Sequence, residues 1–189
     1  DPYGITKMEA EVELKRAAIG SNMVTLILRP PLVYGEGVRG NFLNLMSALA
    51  NQKWLPLGAI SNSRSLIYVG NLTSAIVNAL ENTGIKETVF LLRDGEDMST
   101  TELCLRLAKA LGVKAKLIPV PPSVLRFGGF LAGKASAVTK LTESLEINDL
   151  PSRKDLGWQP HVGVDQGLEL TAAWYKSRIR SSEISSEDI

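Results

Sequence analysis

Met23-Val24-Thr25-Leu26-Ile27-Leu28, closed by Arg29-Pro30-Pro31, is the stretch that decides the fold class. It is short, rich in β-branched residues and almost continuously apolar. A run of that kind predicts a strand buried on both faces, as in a parallel sheet. The prolines end it, because proline cannot donate to a ladder. Upstream, a helix is expected from Tyr3 to Ala18, stopped by Gly20-Ser21-Asn22. Downstream, helices and short strands alternate. A helix is expected over 41–51, strands over 55–57 and 65–69, and a strand over 88–92. Leu72, Ile76, Ala79 and Leu80 predict an amphipathic helix.

The clearest helix opens at Ser99-Thr100-Thr101-Glu102, a capping-box pattern, and ends at Gly112. Leu103, Cys104, Leu107, Ala108 and Leu111 form its expected buried stripe, which makes Cys104 a core residue. A strand is expected over 115–120. Val124–Val138, interrupted by Arg126 and Lys134, reads as a helix packed on the protein, with a membrane-surface contact as the lesser alternative. A last helix is expected over 164–179, then a disordered Ser/Glu-rich tail over 180–189. Such alternation is α/β. A buried parallel strand needs neighbours and this chain offers few, so the sheet is read as incomplete.

Composition narrows the function. The chain has 189 residues, 44% hydrophobic and 22% charged, with a net charge of +1. Scattered cations without a basic run argue against nucleic-acid binding. A single cysteine excludes an internal disulfide and a C-x-x-C metal site, and no metal is expected. No stretch reaches ~18 consecutive apolar residues, so a membrane span is not expected. No leader is expected at the start, and the reading is cytoplasmic.

Tyr3 and Lys7 are spaced i, i+4 and share a helix face. An ammonium beside a phenol favours the phenolate, which turns a tyrosine of pKa ~10 into a usable acid/base. The bland alternative is a surface helix. Gly35-Glu36-Gly37-Val38-Arg39-Gly40 matches G-x-G-x-x-G, but two prolines and four further residues separate it from the strand. No acid follows at the ribose-binding distance, so it reads as a flexible loop.

Taken in order, the motifs resemble the carboxyl-terminal half of an extended short-chain dehydrogenase/reductase, closest to the NAD-dependent nucleotide-sugar epimerases and dehydratases. Tyr3-Gly4-Ile5-Thr6-Lys7 with Glu11 resembles the active-site helix. Arg29 to Gly35 resembles the strand and loop that pass the nicotinamide, and Arg64 to Val69 the segment that brings an arginine to the substrate diphosphate. Asp94-Gly95-Glu96 through Glu102 resembles a capped helix entry, and Leu156-Gly157-Trp158-Gln159-Pro160 the turn before the final helix.

The resemblance implies the last part of a Rossmann-like NAD(P)-binding sheet over residues 1–35 and a smaller α/β substrate domain over 36–179. It implies Tyr3 and Lys7 as catalytic residues that also touch the cofactor, NAD or NADP, with Pro30 and Val33 beside it. Arg64 would bind the diphosphate, for which a planar guanidinium suits; its alternative is a surface ion pair. Asn41 would reach the sugar or diphosphate, or else cap a helix. Leu57 would lie along the base, or else belong to a plain strand. His161 reads as structural.

Three departures from the family pattern stand out. The half carrying the glycine-rich phosphate turn, the acidic ribose ligand and the catalytic Ser/Thr is not in this sequence. Leu32 stands where many sugar epimerases have asparagine, and Gly70-Asn71 replaces a common acidic pair. The last two suggest a branch acting on amino or deoxy sugars of surface polysaccharides. The expected activity is a UDP-sugar 4-epimerase, inactive as this fragment alone. The alternatives are a 4-ketosugar reductase, separable by net cofactor turnover, and a non-catalytic module. Expected partners are a nucleotide sugar and, through the unpartnered first helix and strand, a second copy in a homodimer; membrane contact is not expected.

Overall fold

The computed structural model describes the backbone of residues 2–82, 84–85 and 89–187, and side chains from Gly4 to Arg180 within them. The chain opens with α1 (Pro2–Ala18), then β1 (Ile27–Arg29), β2 (Leu32–Tyr34) and α2 (Gly40–Ala50). β3 (Trp54–Leu55), β4 (Arg64–Tyr68), α3 (Val69–Glu81), β5 (Val89–Leu91) and β6 (Asp97–Met98) follow. Then come α4 (Thr100–Leu111), β7 (Lys116–Leu117), α5 (Pro122–Leu131), α6 (Ala135–Thr142), α7 (Leu150–Leu156) and α8 (Val164–Glu187).

The α/β class holds, with three small sheets among the described residues. β1 pairs parallel with β5, Leu28 opposite Phe90. β4 lies between β2, parallel with Val33 opposite Ile67, and β6, antiparallel with Arg64 opposite Met98. β3 pairs parallel with β7. Successive strand residues point to opposite faces, and β4 uses this to join two cores. Leu66 and Tyr34 enter one with α2, α4 and α8; Ile67 enters the other with Ala75, Ala79, Phe90, Leu156 and Trp158.

Several elements differ from the sequence reading. The strand expected over 23–28 is only Ile27–Arg29, and Met23 and Val24 are exposed. Among the described residues, β1 is paired with β5 from Ile27 opposite Val89 to Arg29 opposite Leu91. The strands expected over 55–57 and 115–120 are the two-residue ribbon β3–β7, with Trp54 opposite Lys116 and Leu55 opposite Leu117. α3 forms, but it buries Asn71, Ala75 and Ala79, whereas Ile76 and Leu80 face outward. The buried face is chosen by the polar partners of Asn71 described below. Val124–Val138 is two helices, broken at Ala132–Gly133–Lys134, where Gly133 takes φ 66°. α8 continues to Glu187, where the sequence suggests a disordered tail from Arg180; residues 188–189 lie outside the described residues. Ser99 caps α4 by accepting from Glu102 N at 3.0 Å. The reciprocal arm of the box is replaced, because the Glu102 carboxylate pairs with Arg106 instead.

Candidate functional site

β2 divides two cavities. Val33 lines a cleft of about 690 Å³ with Lys7, Glu11, Pro30 and Arg29. Leu32, the residue before it, lines a cavity of about 250 Å³ with Arg64, Asn41, Arg39 and Lys140. The two-residue strand period places these neighbours on opposite sides.

The larger cleft is built by α1 lying against the end of β1. Arg29 anchors the helix: its Nε donates to Glu11 Oε1 at 2.8 Å, and its Nη2 donates to Glu11 Oε2. This fork-to-carboxylate geometry is the strong form of an ion pair. The hydrogen bonds that Arg29 donates to Glu11 hold the Glu11 carboxyl below its ordinary value and raise Arg29 above its own. Lys7 stands one turn before Glu11, so the anchor fixes where its ammonium enters the cleft. Tyr3 lies in the first turn of α1, and its side chain lies outside the described residues. Pro30 and Val33 give the cleft an apolar lining in company with Lys7. A cleft that combines an ammonium with apolar lining fits the ribose and flat ring of a nicotinamide. It does not fit a pyrophosphate: the Gly35–Gly40 loop contributes nothing to this cleft and instead lends Arg39 to the smaller cavity.

The smaller cavity has an apolar lining of Leu32, Phe42, Leu45, Leu103 and Leu141 beneath a cationic rim. Arg64, at the start of β4, donates to the carbonyls of Lys140 and, at 3.4 Å, Glu143. Burial lowers its pKa from the ordinary value, yet a guanidinium stays charged at any working pH. Asn41 is the second residue of α2, and no side-chain hydrogen bond caps that helix, which leaves the capping alternative without support. Leu57 is not in this cavity. It is buried and lines a separate apolar pocket with Leu55, Leu125 and Val138. Lys7, Pro30 and Val33 are thus brought together on one side, and Asn41 and Arg64 on the other. Arg39 and Lys140, which the sequence reading missed, join the second set.

A buried polar hub locks β2 in place between the cavities. The Tyr34 hydroxyl donates to Asp94 Oδ2 at 2.7 Å, and Tyr68 N and Asn71 Nδ2 donate to the same carboxylate at 2.9 and 2.8 Å. Asn71 Nδ2 also donates to Val162 O at 2.7 Å, and its Oδ1 accepts from His161 N and Val162 N at 3.1 and 3.0 Å. His161 serves here through its backbone. Burial drives the Asp94 pKa up, against the three donors that oppose it, and drives the Tyr34 phenol far above its usual range.

The sequence profile of the 3-beta hydroxysteroid dehydrogenase/isomerase family matches residues 1–121. The chain belongs to that family. It therefore falls within the extended short-chain dehydrogenases/reductases. A UDP-glucose 4-epimerase from Vibrio cholerae is 38% identical over 173 residues, 91% of this chain and 53% of that protein. An N-acetyl-alpha-D-glucosaminyl-diphospho-ditrans,octacis-undecaprenol 4-epimerase from Escherichia coli O157:H7 is 30% identical over 72% of this chain and 42% of its own length. The chain thus spans about half the length of the curated relatives it matches. The solved structure of WbmF from Bordetella bronchiseptica, in complex with NAD+ and UDP, superposes with a TM-score of 0.69 at 19% identity, over 97% of this chain and 55% of that one. The fold is accordingly Rossmann-like and matches about half of that structure. Among the described residues, no group of His, Cys, Asp or Glu could hold a metal, and no helix is long and apolar enough to cross a membrane.

Proposed function

We propose that this chain forms the substrate-side part of an NAD(P)-dependent nucleotide-sugar 4-epimerase. The observation that carries the reading is the placement of Leu32 and Val33 on opposite faces of β2. Through them a cleft fit for a nicotinamide and a cation-rimmed cavity fit for a diphosphate share one wall. A bound nicotinamide would supply reversible hydride acceptance at the sugar carbon. Tyr3 takes the sugar hydroxyl proton as that carbon becomes a ketone and returns it when the alcohol re-forms. Lys7 keeps the phenol within reach of neutral pH and holds the nicotinamide ribose, while Pro30 and Val33 pack on the ring. Arg64 and Asn41, helped by Arg39 and Lys140, hold the diphosphate and so fix the sugar.

A second reading keeps the reaction and changes the carrier, from a nucleoside diphosphate to a polyprenyl diphosphate. The apolar lining of the smaller cavity favours it, as does the E. coli relative. Calorimetric titration with UDP tests the first reading. Arg64→Ala should weaken UDP binding about tenfold or more, the loss expected for charged hydrogen bonds. UDP binding that Arg64→Ala leaves unchanged would overturn the role given to Arg64. Binding of undecaprenyl diphosphate without binding of UDP would select the second carrier.

A further inference from the structure

α5 is apolar on both sides. Its inner side is used: Leu125 lines the pocket shared with Val138, and Gly129 packs so tightly on α6 that a Cβ there would lie 2.5 Å from Val138 Cγ2. Its outer side is not. Val124, Phe127, Phe130 and Leu131 fall within about a third of the helix circumference at 100° per residue, and they are 57%, 67%, 73% and 70% exposed. An apolar outer face of this size on a helix whose inner face is already packed belongs against another apolar phase, not in water.

The segment that carries this face has one sign of charge. From residue 112 to 142 the sequence holds five lysines and arginines and no aspartate or glutamate, in a chain whose overall charge is only +1. Arg126 and Lys134, both exposed, flank the apolar face. The ribbon β3–β7, joined to α5 through the pocket of Leu55 and Leu125, carries a two-thirds-exposed Trp54 with the Lys116 ammonium 6.0 Å from its ring. Aromatics beside lysines, without carboxylates, are the pattern of a surface that lies in the headgroup region of an anionic bilayer. A second copy of this face would set like charges against each other, which disfavours self-docking.

We propose that α5, with the α5–α6 turn, docks this protein on an anionic phospholipid bilayer. The proposal takes up the lesser alternative that the sequence offers for Val124–Val138, and it holds whichever carrier bears the sugar. It also has a consequence for the site. α6 runs from this turn to Lys140 and Leu141, which line the cavity of Arg64. Docking therefore places that cavity within the length of one eight-residue helix, about 12 Å, of the docked turn.

Co-sedimentation of the full chain with vesicles of equimolar phosphatidylglycerol and phosphatidylcholine, and of phosphatidylcholine alone, tests this. Binding to the anionic vesicles is expected, with much weaker binding to the neutral ones. The double variant Phe127→Ser, Phe130→Ser should lose about tenfold or more of it, since two exposed rings then have no apolar area to bury. Lys134→Glu should weaken it by severalfold. Both variants change exposed side chains, so their thermal unfolding should match the parent. Absence of binding to anionic vesicles, or binding unchanged in the double variant, overturns the proposal. So does a dimer in vesicle-free solution that the double variant abolishes, because the face would then belong to a second copy.

Discussion

At the residue scale, Asp94 and Asn71 hold the site together without touching either cavity. Asn71 is visible in the sequence only as a departure from an acidic pair. What it does needs three segments far apart in the chain, because it joins Asp94 to the backbone at 161 and 162. An aspartate at 71 would set a second carboxylate against Asp94, so the amide suits this site. Burial outweighs the donors and raises Asp94 above its ordinary 3.8. The folded protein then holds this proton more tightly than the unfolded chain does. Stability contributed by the neutral acid is present below pH 3.8 and is lost as pH rises from there through the raised native value. A carboxyl 13C titration should place the Asp94 midpoint above 3.8. Asn71→Leu, which removes a donor to the ionised form, should move it higher still. A midpoint at or below 3.8 would refute the account. Cys104 shows the converse case, legible from sequence: its place on the α4 stripe predicts a core thiol, and burial pushes it up to about 12.

At the element scale, legibility followed local chemistry. α4 could be read because its cap, stripe and glycine stop all lie within fourteen residues, and the structure keeps the Ser99 cap, the stripe and the left-handed Gly112. α3 misled because its most apolar residues face outward, and its burial is set by a distant carboxylate. α7 was not foreseen. It is tied down by Asp149, which accepts from Arg93 Nε at 3.1 Å and Arg153 Nε at 2.6 Å, a network no local pattern announces. α8 offers a sharp test. Gly167 lies inside this helix, where alanine would normally be favoured by roughly 1 kcal/mol. A Cβ at Gly167, however, would sit 2.5 Å from Tyr34 Oη and 3.1 Å from its ring. Gly167→Ala should therefore destabilise the protein by about 1–3 kcal/mol in urea unfolding, as overpacking does. Tyr34→Phe in the same chain should recover part of that loss. A stabilising Gly167→Ala would show that α8 does not approach β2 as described.

At the scale of the whole molecule, the surface is larger than the mass accounts for. It measures 11630 Å² for 20.5 kDa, against roughly 8,800 Å² for a compact monomer. The sequence anticipates this by offering a parallel strand with too few neighbours, and α1 is where the excess is plainest. Ile5, Met8 and Val12 form a stripe on it, all exposed, and no described side chain of the helix is buried. An isolated helix of this length is marginal in water, so α1 depends on what holds it, and the Arg29–Glu11 fork is the described tether. Native-state hydrogen exchange on this chain should show α1 amides protected less than about a hundredfold, while those of α4, with six buried residues, approach the global unfolding limit. Arg29→Ala should strip the remaining protection from α1 and leave α4 unchanged, because the tether touches neither core. Equal protection of α1 and α4 in dilute solution would mean that the helix is held by more than this contact. Protection of α1 that rises with protein concentration would mean that a second copy covers the stripe, as the unpartnered face suggests. In either case Lys7 keeps its place in the cleft only while α1 is pinned, so the same measurement reports whether the site half carried by α1 exists in this chain alone.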